Sequence, residues 1–92
     1  MEFCRVHKDN YILIYFIVSF YYSETSGEHI EMRVEKDVDS DVYAEFTLPA
    51  YHCHHAYGFT EAELDKIERF LRNNAVSIWD MAREGNHAES IA

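Results

Sequence analysis

Tyr11 to Tyr22, YILIYFIVSFYY, is twelve residues long and broken only by Ser19. A helix needs roughly 20 apolar residues to cross a bilayer, so this run is too short to span one. Its β-branched and aromatic content predicts a strand, and its continuity predicts that both faces avoid water. With a period of two, one face carries Ile12, Ile14, Phe16, Val18, Phe20 and Tyr22. This face is expected to pack into the core. The other carries Tyr11, Leu13, Tyr15, Ile17, Ser19 and Tyr21. It is apolar with hydroxyl tips, a surface suited to binding protein.

The flanking sequence completes a sheet. Residues 2–7 (EFCRVH) form a short first strand before a turn at Lys8-Asp9-Asn10, and Ser23 to Gly27 (SETSG) is a second turn. Glu28 to Lys36 alternates, with Ile30, Met32 and Val34 inward. After an acidic turn at Asp37–Asp41, Val42 to Leu48 alternates again until Pro49, which cannot donate to a ladder. Ala50 to Gly58 (AYHCHHAYG) reads as irregular. Thr60 and Glu63 then make a capping box, with Phe59 and Leu64 in the staple positions. Leu64, Ile67, Leu71, Ala75, Ile78 and Ala82 recur at helical spacing up to the stop at Gly85. Asn73-Asn74 is the weak point of this single helix, and residues 86–92 form a frayed tail. The expected fold is α+β: one domain over 1–85, with a three- to four-stranded antiparallel meander and one long C-terminal helix on one face.

Certain residues match a known pattern. Phe20-Tyr21-Tyr22-Ser23-Glu24, His29 in its alternating strand and Ala44–Pro49 (AEFTLP) resemble a family of small bacterial domains of unknown function. Tyr57–Arg69 (YGFTEAELDKIER) is similar to that family's GF-x-x-x-EL-x-x-IE-R helix opening, and Trp79 matches a tryptophan late in the helix. Where the family shows Pro-His-x-His, this chain reads Glu28-His29-Ile30-Glu31. Such domains are often encoded beside a small partner in operons resembling toxin–antitoxin pairs. The resemblance therefore implies a protein partner.

Charge narrows the function classes. The net charge is −9, from 17 acidic and 8 basic residues. This disfavours direct nucleic-acid binding, which rests on cations meeting phosphates. Residues 24–45 hold Glu24, Glu28, Glu31, Glu35, Asp37, Asp39, Asp41 and Glu45 against only Arg33 and Lys36. Glu31, Glu35 and Glu45 should share the outer sheet face with Tyr15, Tyr21 and Tyr43, while Asp37, Asp39 and Asp41 crowd the adjoining turn. A tyrosine surface rimmed by carboxylates suits a basic protein groove, one that normally holds nucleic acid. A homodimer through the same face is the other use for it.

No catalytic signature is present, so no enzyme activity and no cofactor are expected. Cys53 has histidine neighbours, but sequence neighbours seldom reach nucleophile–base geometry. Two cysteines are too few for a disulfide scaffold, and the apolar run ends in Phe-Tyr-Tyr rather than at a small-residue cleavage site. A cytoplasmic protein with reduced thiols is expected, with no membrane attachment. Were a metal bound, Cys4, His7, His52, Cys53 and His54 would supply its ligands. Neither cluster has the spacing of a zinc motif, however, and in extended backbone His52 and His54 share a face while Cys53 and His55 point away. Asp37-x-Asp39-x-Asp41 lacks the glycine and distal glutamate of a calcium loop. The reading that results is an acidic binding or inhibitor protein of the anti-CRISPR or antitoxin type, acting by nucleic-acid mimicry. The alternative is a small metal-binding protein or metal-dependent enzyme using the His52–His55 cluster with Cys53.

Overall fold

The computed structural model describes the backbone of residues 1–91 and the side chains of residues 1–85. The tail expected over 86–92 lies outside the fully described residues. Five strands run in chain order as one antiparallel meander: β1 (Glu2–His7), β2 (Ile12–Ser23), β3 (Gly27–Lys36), β4 (Asp39–Leu48) and β5 (His52–Tyr57). Two helices follow, α1 (Glu61–Asn73) and α2 (Ala75–Ile91). The α+β class and the antiparallel meander agree with expectation. The fifth strand and the second helix are corrections.

β5 comes from the segment that read as irregular. It pairs with β4 from Tyr43↔Tyr57 to Thr47↔His52, despite a sequence of histidines with no clean alternation. As an edge strand it has one neighbour only and an exposed outer face, so its side chains have no apolar period to satisfy. The single expected helix breaks at Asn74, whose backbone leaves helical geometry (φ −111°, ψ 15°). Its side-chain amide donates to the Phe70 carbonyl at 2.8 Å, and its own carbonyl accepts from Ile78 N at 3.0 Å. Asparagine competes with the helical ladder in this way, closing one helix and opening the next.

The core lies between the sheet and both helices. Leu13, Tyr15 and Ile17 of β2, Ile30, Met32 and Val34 of β3, and Ala44, Phe46 and Leu48 of β4 are buried against Ile67 and Leu71 of α1 and Ile78 and Ala82 of α2. The two faces of β2 are thus the reverse of those expected at its start. Ile12, Ile14 and Phe16 lie on the outer face, half-buried, while Tyr15 packs against Phe70 with ring centroids 4.5 Å apart. Register makes the choice: Tyr15 pairs with Val34 and Ile17 with Met32, which are inward on β3. Then a bulge intervenes. Ile17 pairs with Met32 and Ser19 with Glu31, leaving Val18 extra and exposed. Beyond it the faces exchange, so Phe20 turns inward to meet Trp79 edge-on at 6.3 Å while Tyr21 turns outward.

The acidic turn is also tighter than expected. Only Asp37 and Val38 lie between β3 and β4, and Asp39 and Asp41 belong to β4. Asp37 Oδ1 accepts from Ile12 N at 2.7 Å, which ties this turn to the start of β2.

Candidate functional site

Both helices pack on one side of the sheet, so its other side faces solvent. Every strand contributes side chains to it, β1 through Arg5 and His7, which stand opposite Ile14 and Ile12. From β2 come Ile12, Ile14, Phe16 and Tyr21, from β3 Glu31, Arg33 and Glu35, from β4 Tyr43, Glu45 and Thr47, and from β5 the histidines. Of the contact residues expected from sequence, Tyr21, Glu31, Glu35, Tyr43 and Glu45 share this face. Asp37, Asp39 and Asp41 stand at its edge, at the β3–β4 turn. Tyr15 does not belong with them: it is 2% exposed in the core, and burial raises its hydroxyl pKa well above the ordinary tyrosine value.

The carboxylates on this face are held in place by their neighbours. Glu31 accepts hydrogen bonds from Thr47 Oγ1 at 3.0 Å, from Tyr21 at 3.3 Å and from His54 Nε2 at 3.0 Å. Burial, reinforced by the adjacent Glu31 charge, raises the Tyr21 pKa. Arg33 bonds Glu35 at 2.6 Å, reaches Glu45 at 3.7 Å and lies 4.0 Å over the Tyr43 ring. Glu45 also meets His55 Nδ1 at 3.3 Å. Arg33 therefore meets part of the local negative charge within the face itself, and hydrogen bonds hold the remaining carboxylates in place. Glu28, by contrast, is held by Arg83 of α2 at 2.8 Å, and that hydrogen bond lowers its pKa. Asp39 and Asp41 form no ion pair among the described residues; Asp39 accepts the Asp41 amide at 3.0 Å.

β5 places its histidines unlike a regular strand. Glu45 pairs with His55 and Phe46 with Cys53, so His54 is the extra residue of a bulge. His54 and His55 consequently reach the outer face together, with rings 5.8 Å apart. Regular alternation would have separated them, which is why sequence reasoning missed the pair. The expected combination of Cys4 and His7 with His52, Cys53 and His54 is ruled out by topology. β1 and β5 are opposite edges of the sheet, about 19 Å apart at the usual strand spacing. Both thiols are free, and burial raises the pKa of each, which lowers the thiolate fraction at neutral pH.

On the helix side a cleft of 450 Å³ opens between β2 and α1, floored by Leu13, Tyr15 and Phe70 and rimmed by Lys8, Lys66 and Arg69. Its rim is opposite in sign to the β3–β4 turn. No helix among the described residues is long and apolar enough to cross a membrane. Comparison with known proteins found no matching family model, no matching curated protein and no matching solved structure. The functional reading therefore stands on the geometry of the face.

Proposed function

We propose that this chain is a non-enzymatic, acidic binding protein that docks through the open sheet face on a basic, nucleic-acid-handling protein partner and blocks it. An inhibitor of the anti-CRISPR or antitoxin type fits this length and charge. The observation that carries the reading is the uncovered face itself. It joins an apolar strip (Ile12, Ile14, Phe16) to tyrosines and carboxylates, and ends at Asp37 of the β3–β4 turn with Asp39 and Asp41 at the start of β4. Arg33, Thr47 and the histidines fix Glu31, Glu35 and Glu45 before any partner arrives, so docking would lose little side-chain entropy there. Aspartates at the turn occupy positions where phosphates otherwise sit, which speeds encounter with a cationic groove.

The test is competition. Partner captured on the immobilised chain from its own cell extract is purified and offered its nucleic acid in the presence of increasing chain. The expected result is mutual exclusion, with chain and nucleic acid each displacing the other. A ternary complex in which both bind with undiminished affinity would contradict the mimicry reading.

A further inference from the structure

We propose that Glu45, His54 and His55 form a binding site for one borderline-soft divalent cation, zinc(II) in the first instance, on the outer face where β5 meets β4. This site does not rest on the docking reading. One donor atom from each of the three residues lies within 4.8 Å of the other two. Tetrahedral zinc with nitrogen and oxygen ligands holds neighbouring donors about 3.4 Å apart. The distance of 3.3 Å between His55 Nδ1 and Glu45 Oε1 already matches that spacing. The His54 donor atom lies within 4.8 Å of both, and zinc would have to draw it in to the same spacing.

The bulge is the feature that makes the site. Adjacent residues of a regular strand point to opposite faces, so His54 and His55 would not otherwise converge. Here the extra residue turns both rings toward the Glu45 carboxylate. Two imidazoles and one carboxylate are the donors of zinc, nickel and copper sites; magnesium and calcium prefer oxygen throughout. Glu31 Oε2, 3.0 Å from His54 Nε2, lies outside this set and holds the His54 ring in place. The outer face leaves an approach open, with the His55 side chain 68% exposed. An ion held by residues of β4 and β5 would clasp the edge strand to its only neighbour.

The experiment titrates zinc(II) into untagged, chelator-stripped protein by calorimetry, with magnesium(II) as the comparison ion. Expected are one zinc per chain, no saturable uptake of magnesium, and a rise in the thermal midpoint with zinc. Affinity should fall by about tenfold or more in His54→Ala, His55→Ala and Glu45→Gln. His7→Ala, on the opposite edge of the sheet, should bind as the parent does. Circular dichroism checks that each variant folds, and His54→Asn and His55→Asn replace the alanine variants should β5 come loose. Absence of saturable zinc uptake, uptake indifferent to both histidines, or an equal loss in His7→Ala overturns the assignment. Docking measured in excess chelator reports on the partner-binding face alone, so the failure of either proposal is distinguishable.

Discussion

Gly58 joins β5 to the capped start of α1 with φ +84°, a conformation glycine adopts without the penalty other residues meet. A methyl group there would also stand 2.9 Å from both Val42 γ-carbons. Gly58→Ala should therefore cost about 1–3 kcal/mol, seen as an earlier urea midpoint with unchanged slope. Gly27 has a similar φ of +82° but nothing near its missing side chain, so an alanine there meets the backbone penalty alone and should cost less. The sequence marks Gly27 as a turn residue and Gly58 as the end of an irregular segment, whereas the clash with Val42 is visible only once β4 and β5 are paired. Tyr15 teaches the same lesson. An amphipathic aromatic suits a binding surface or a core equally well, and only its register opposite Val34 decides the matter.

At the scale of elements, α1 is where the chain is most explicit. Thr60 Oγ1 accepts the Glu63 amide at 3.1 Å and Glu63 Oε1 accepts the Thr60 amide at 2.9 Å, the reciprocal box that the spacing implies. Thr60→Ala should cost about 1 kcal/mol in chemical denaturation. The box also carries a pH signature. The hydrogen bond from the Thr60 amide holds the Glu63 carboxyl below its ordinary value of 4.5, with Lys36 and Tyr11 adding to the shift against partial burial. A depressed folded-state pKa contributes stability that is complete above 4.5 and lost as pH falls through the lower folded value. Comparing urea midpoints at neutral pH and about pH 3 should show a smaller acid loss in Glu63→Gln than in the parent. The capping box, the alternation of β3 and β4 and the turn at Ser23–Gly27 were all legible because each is a local pattern. The bulges at Val18 and His54 and the existence of β5 were not, and Asn73-Asn74 read as a weak point rather than as a break. Each depends on a partner distant in sequence, or on one residue's hydrogen bonds outweighing the periodicity around it.

For the molecule as a whole, the question is where its charge can act. Negative charge crowds residues 24–45 in sequence, yet folding distributes it. Glu28 goes to Arg83, Glu35 and Glu45 share Arg33, and Glu31 is held by hydrogen bonds from Thr47 and His54. The acids left without an ion pair among the described residues include Asp39 and Asp41, beside the β3–β4 turn. If this turn steers a cationic partner, position must matter beyond net charge. Asp39→Lys with Asp41→Lys raises the net charge from −9 by two units per substitution, to −5. Asp80→Lys with Glu84→Lys makes the same change on exposed positions of α2, away from the open face. At an ionic strength of about 0.1 M the turn variant should associate with the captured partner about tenfold more slowly than the parent, and a salt series should show a flatter dependence. The α2 variant should stay within about twofold of the parent, because a charge beyond roughly 10 Å from the contact is screened at ordinary ionic strength. Equal slowing in both variants would locate the effect in overall charge rather than in the turn. No slowing in either would remove carboxylate mimicry from the account of how this face binds.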